Sequence, residues 1–149
     1  MAGPGKRYQE FIEFLTLFVS ELNGLARDGA LIVVEGKRDR DALTALGYTG
    51  PVLTKATLHS KRGLAGLRRV KLAIILTDLD EEGRRLAARY AEFFALRDVK
   101  TSLTHRRRLL KASHGTFLHV ENLVRFAPIV PEIIALTSKI EVSGPQLDT

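Results

Sequence analysis

Three acids, Glu35, Asp78 and Asp80, have the residue type and the spacing that suit chemistry. Asp78 and Asp80 are two residues apart, so in extended backbone both carboxylates point to one spot. Glu35 closes a separate apolar run, Ala30 to Val34, and is followed by Gly36. If the two runs are neighbouring strands, three carboxylates converge and their repulsion has to be relieved. A divalent cation relieves it, and an oxygen-only ligand set favours Mg²⁺ or Mn²⁺ over zinc. Such a site commonly completes its shell with substrate phosphate. Each part also has a plain structural role. Asp80-Glu81-Glu82 suits a helix N-terminus, a backbone amide or an arginine could satisfy Asp78, and Gly36 could only supply a tight turn. The conjunction of the three acids outweighs its parts. Asp39 and Asp41 read as a helix cap and a surface acid.

Placing these acids requires alternating strands and helices. Apolar residues at Phe11, Phe14, Leu15, Phe18, Leu22 and Leu25 have helical spacing, which predicts an amphipathic helix over 6–27 that ends at Gly29. Ala30 to Val34 is too short for a helix and reads as a strand covered on both faces. Asp39 to Leu46 reads as a short helix capped by Asp39, Pro51 to Thr54 as a brief strand, and Ser60 to Val70 as a helix despite Gly63 and Gly66. Leu72 to Thr77 is a second buried strand. A long helix follows, with Leu86, Tyr90, Phe93, Phe94 and Leu96 facing inward, and Val99 to Leu103 makes the fourth strand. Strands and helices in this rhythm imply an α/β fold: a mainly parallel sheet of about four strands flanked by helices, with an extra N-terminal helix over 1–29. Ligands of such sheets gather beyond the carboxyl ends of the strands, where the acids lie. Beyond Ser113, Glu121 to Phe126 and Glu132 to Ile140 read as helical pieces broken by Pro128 and Pro131, and 143–149 as a frayed tail.

Composition narrows the possible functions. The chain has 149 residues, about one domain's worth, with 45% hydrophobic residues, enough to build a core. No Cys is present, which excludes disulfides, zinc thiolates, iron–sulfur clusters and cysteine nucleophiles. No run approaches the ~20 apolar residues of a membrane span, and no signal-peptide pattern follows Met1 to Lys6, so a soluble, cytoplasmic protein is expected. No G-x-S-x-G or glycine-rich phosphate loop occurs. The net charge is +6, and nine basic residues lie between Lys37 and Lys71 against only Asp39 and Asp41. Lys37, Arg38 and Lys55, together with the run His105, Arg106, Arg107 and Arg108, are the residues expected to hold a nucleic-acid backbone; a merely solvated face would carry the same charges. The four histidines lack metal-binding spacing, and His119, in an apolar stretch, reads as a core residue.

Leu31-Ile32-Val33-Val34-Glu35-Gly36-Lys37-Arg38-Asp39 and Ile74-Ile75-Leu76-Thr77-Asp78-Leu79-Asp80-Glu81-Glu82-Gly83 resemble, in order and separation, the two signature motifs of the Toprim domain. The chain is similar in particular to small stand-alone archaeal Toprim proteins, from the N-terminal helix through Leu46-Gly47 and Gly50 to Val120-Glu121-Asn122-Leu123. The resemblance implies a compact Rossmann-like Toprim fold, here over 30–142 with a C-terminal helical extension. It also implies Glu35 as general acid, general base or metal ligand, and Asp78 and Asp80 as holders of Mg²⁺ during work on nucleic-acid phosphodiesters. Glu82 matches the last acid of the D-x-D-x-E form of topoisomerases that many other Toprim proteins lack, and the resemblance makes it a fourth candidate metal ligand with its role open. Gly83 matches the family's glycine at the helix start. Topoisomerase activity would need a further domain bearing a nucleophilic tyrosine, and complete priming would need a zinc module that a chain without Cys cannot build. Three readings stay open: a Mg²⁺-dependent nuclease-like protein acting on RNA or DNA, a non-catalytic module binding nucleic acid or protein within a repair or RNA-processing assembly, and a domain whose acids are only helix caps.

Overall fold

The computed structural model describes residues 4–143. Helix α1 (Pro4–Arg27) leads into strand β1 (Ala30–Val33), helix α2 (Lys37–Ala45) and strand β2 (Val52–Leu53). Short helices α3 (Lys55–Leu58) and α4 (Lys61–Gly66) then precede strand β3 (Leu72–Ile75), helix α5 (Glu81–Ala95), strand β4 (Thr101–Ser102) and helix α6 (Thr104–Ser113). A 3-10 segment, Val120–Phe126, and helix α7 (Val130–Ser143) complete the described chain. The expected tail lies, from 144 onward, outside the described residues.

The four strands form one parallel sheet in the order β2-β1-β3-β4, so β1 and β3 are neighbours, as the convergence of the acids requires. Their register sets Val33 beside Ile75. Alternation along these central strands feeds two cores. Ile32, Val34, Ile74 and Leu76 face α1, where Leu15, Phe18 and Leu22 are fully buried, and pack with Leu43, Leu109 and Phe126. Leu31, Val33, Ala73 and Ile75 face the opposite way, onto Leu58, Tyr90, Phe94 and Val99. Apolar residues on both faces explain why these strands read as unbroken runs.

Three expectations need correction. Ser60 to Val70 is not one helix: Ser60 caps only Lys61–Gly66, and a 3-10 turn over Leu67–Arg69 follows. A Cβ at Gly63 would strike the Thr57 carbonyl, so that glycine permits a close approach between two helical pieces where the pattern suggested an interruption of one. Leu96 does not face inward; it caps the C-terminus of α5 and is 79% exposed. The cap of α2 is Gly36, and Asp39 lies inside the helix, its carboxylate accepting from the Gly36 N–H at 3.1 Å.

Candidate active site

Both central strands stop just before their acids. The Leu76 N–H donates to the Val33 carbonyl at 2.8 Å and the Lys55 N–H to the Glu35 carbonyl at 3.2 Å. The sheet bonding thus runs to the edge of the site and sets the Glu35 and Asp78 backbones side by side. The segment between β3 and α5 is then fixed from three directions. Thr77, fully buried, donates its hydroxyl to the Gly83 carbonyl at 2.6 Å. Asp80 is the N-cap of α5 and accepts from the Gly83 N–H at 2.7 Å. A Cβ on Gly83 would collide with the Asp78 carbonyl, so only glycine lets α5 start this close to the strand end. Arg106, at 6% exposure, closes the third side: its guanidinium donates to the Asp78 carbonyl at 2.7 and 3.2 Å and to the Asp80 carbonyl at 3.2 Å.

The Asp78 carboxylate is also held. Oδ1 accepts from the Val120 N–H at 2.8 Å, and Oδ2 lies 3.3 Å from His119 Nδ1. His119 reaches the outer oxygen of Asp80 at 3.9 Å. Asp78 raises the pKa of His119 through this contact. Glu35 stands opposite with a buried Oε1 that has no hydrogen-bond partner. Burial first, and the neighbouring Asp78 charge second, push its carboxyl above the usual range. Asp39 is buried too, and its carboxyl is raised by burial, then by Asp78 and Glu121. Tyr90 approaches the cluster from below with a buried hydroxyl lacking a partner, and burial plus the Glu35 charge lift it to about 12.

Glu35, Asp78 and Asp80 are therefore brought together, and Asp39, Glu121 and His119 join them. Glu82 is exposed on the first turn of α5. Lys37, Arg38 and Lys55 are exposed at the first turns of α2 and α3, beyond the same strand ends as Glu35. The run from His105 divides. Only Arg107 is freely exposed; Arg108 pairs with Glu21 at 2.7 Å. Arg106 points inward onto backbone carbonyls, and His105 is buried against Phe18, so neither presents a surface to a phosphate. His119, read as a core residue, is exposed at the acids instead. Its one sequence signal was its place directly before the Val120-Glu121-Asn122-Leu123 match. Asp39 was masked by its resemblance to an ordinary cap.

The donor set suits a hard cation. It consists of carboxylate oxygens, one of them buried and unpartnered, with burial and mutual repulsion both opposing ionisation. Among the described residues no three His, Asp or Glu side chains stand at ligation distances. The fit is thus one of chemistry, with Asp78 and Asp80 each giving one oxygen to a backbone N–H and turning the other toward His119 Nδ1, at 3.3 and 3.9 Å.

A Toprim domain model matches residues 30–123, from the start of β1 through the segment that touches Asp78. The chain belongs to the Toprim family. It is 33% identical over 144 residues to a UPF0292 protein of Methanosarcina acetivorans, covering 95% of this chain and 94% of that one. A UPF0292 protein of Methanocaldococcus jannaschii is 31% identical across 80% of this chain and 94% of its own length. One of Thermococcus gammatolerans is 30% identical across 96% and 93%. Among solved structures, an Aquifex aeolicus protein superposes with a TM-score of 0.59 at 25% identity, over 70% of this chain and 94% of that one. Family membership carries metal-dependent nucleic-acid processing as the general role, and no helix among the described residues is long and apolar enough to cross a membrane.

Proposed function

We propose that this protein is a Mg²⁺-dependent, nuclease-like Toprim protein acting on phosphodiester bonds of RNA or DNA. The observation that carries the reading is the buried, unpartnered Oε1 of Glu35 facing Asp78 across neighbouring strands. Burial of Oε1 without a partner outweighs the favourable effect of the Asp78 backbone N–H on the charged form, which suits a group that holds a cation or a proton. Glu35, Asp78 and Asp80 would hold Mg²⁺, with Mn²⁺ as a substitute. The bound cation supplies charge neutralisation at the phosphate and an acidified water.

The protein's own groups do the rest. Lys37, Arg38 and Lys55 hold the backbone of the nucleic acid at the strand ends. Glu35, its carboxyl raised by burial, takes or gives a proton at Oε1. Arg106 holds the carbonyls behind Asp78 and Asp80 and thereby keeps the loop from moving; it is a positioning residue.

A second reading has its own support. Asp78 and Asp80 already accept from Val120 and Gly83, and no ligation group is formed among the described residues, as in a binding module that does no chemistry. Labelled RNA and DNA incubated with and without Mg²⁺ or Mn²⁺ separate the two. The parent is expected to give metal-dependent products, Asp78→Ala/Asp80→Ala none, and Glu35→Gln a folded protein slowed at least ~100-fold, the usual contribution of a general acid or base. Equal cleavage by parent and Glu35→Gln sinks the mechanism. Binding without products from any of them makes the protein a binding module.

A further inference from the structure

A concavity of about 540 Å³ lies away from the acids. It lies beside α1, where Tyr8 and Phe11 meet Phe117, Arg125 and Phe126, with Arg7 and His114 on its rim. Three of its features are unusual for the end of a core. The rings are ordered: Phe11 stacks on Phe117 at 5.4 Å and 22°, Phe126 stands edge-on to both, and Tyr8 leans on Phe126 at 5.5 Å while remaining 49% exposed. The charges are of one sign, since Arg7 and Arg125 line the groove and no Asp or Glu does. The Arg125 guanidinium sits 5.0 Å from the centre of the Phe117 ring, a planar cation on a planar π surface.

The groove is also tied to the acids. Phe117 is two residues from His119, so their Cα atoms are within about 7 Å of each other. Leu118, between them, accepts from the Leu79 N–H at 2.6 Å, in the middle of Asp78-Leu79-Asp80. One short segment thus forms a wall of the groove and an edge of the acid site.

We propose that this groove is a subsite for single-stranded nucleic acid: an unpaired base enters against Tyr8 and Phe117, with the buried Phe126 ring supporting them from behind, and Arg7, Arg125 and His114 hold the adjoining phosphates, which lead along 117–119 to the acids. Aromatic faces accept any base, and arginine adds stacking and charge, the combination that binds single strands without reading sequence. A cavity of this size takes a ligand of nucleotide dimensions. A base pair inside a duplex cannot offer its flat face to such a groove, so the subsite selects unpaired or frayed strands. The inference rests on the phosphodiester reading for what happens at the acids, but not for the binding itself.

The test is fluorescence anisotropy in EDTA with short labelled single-stranded RNA, single-stranded DNA, the blunt duplex, and a single strand with one abasic position. The proteins are the parent, Tyr8→Ser, Tyr8→Phe, Arg125→Gln, and Asp78→Asn/Asp80→Asn. The single strands should bind more tightly than the duplex, and RNA against DNA shows which sugar is preferred. Tyr8→Ser and the abasic strand should each cost roughly tenfold, with Tyr8→Phe restoring affinity. Arg125→Gln should weaken binding and lower the salt slope by about one, while Tyr8→Ser leaves the slope unchanged. Equal affinity for duplex and single strand, or Tyr8→Ser binding as well as the parent, overturns the proposal; so does absence of nucleic-acid binding. The acid-site variant keeps the two readings apart. Base-dependent binding with no cleavage leaves the groove and removes the phosphodiester reading, and cleavage with no dependence on Tyr8 does the reverse.

Discussion

His105 shows how a residue's direction changes its meaning. Its neighbours in sequence are arginines, but its neighbours in space are the Phe18 ring, Glu21 at 3.6 Å and Arg108. The contact with Glu21 is too long for a hydrogen bond, and neither ring nitrogen has a partner. Burial therefore dominates and lowers the pKa below 6.5, with Glu21 opposing and Arg108 assisting. The unfolded chain then takes up a proton more readily than the native one. Stability is unaffected above pH 6.5, falls as pH drops below it, and levels off once the native ring is protonated too. Between pH 7 and pH 5 the urea midpoint of the parent should fall relative to that of His105→Leu, the difference isolating this group from Glu35, Asp39 and His119, whose raised carboxyls and ring act in the opposite direction. An equal pH response in both would show that Glu21 neutralises the effect of burial. The same consideration explains which site residues were legible. Glu35, Asp78 and Asp80 follow strands, and strand geometry determines where the next side chains go. His105, Arg106 and His119 lie on a helix and a loop, where residue type and spacing leave the direction open.

At the scale of elements, the site depends on how closely α5 approaches β3. Gly83 makes that approach possible, and Thr77, Asp80 and Arg106 hold it. Gly83→Ala should cost about 1–3 kcal/mol by overpacking, read as a lower denaturation midpoint. It should also reduce metal-dependent cleavage more than stability loss alone explains, because the strain falls on the Asp78 carbonyl. Wild-type midpoint and activity in Gly83→Ala would mean that α5 is free to shift. Elements with an apolar face on both sides, β1 and β3, or on a helical stripe, α1, were readable in the sequence because burial imposes the pattern. The 60–70 stretch was not, since Gly63 serves a contact with Thr57 that only the fold creates. The packing of α2 against the 3-10 segment was also invisible, and it is this contact between elements distant in sequence that brings Glu121 to Asp39.

Across the whole molecule, a basic chain with a net charge of +6 gathers Glu35, Asp39, Asp78 and Asp80 in one place, beyond the carboxyl ends of β1 and β3. The surrounding charge attracts polyanions, while the cluster itself repels them until something neutralises it. Binding of a divalent cation should therefore be coupled to folding, because the converging carboxylates exist only in the native state. A cation present at 100 times its dissociation constant stabilises the native state by about 2.7 kcal/mol. For a domain of this size that corresponds to a rise in Tm of about 5–10 °C. Thermal melts in Mg²⁺ titrated against an EDTA baseline, with NaCl holding ionic strength constant, should show that rise in the parent. Asp78→Ala/Asp80→Ala should melt without responding to Mg²⁺, and its EDTA baseline separates the lost cap of α5 from the lost metal. If the acids only cap helices, both proteins respond equally at matched ionic strength, and the neutralising charge must then come from the protein itself, with His119 beside Asp78 and Asp80 the first candidate.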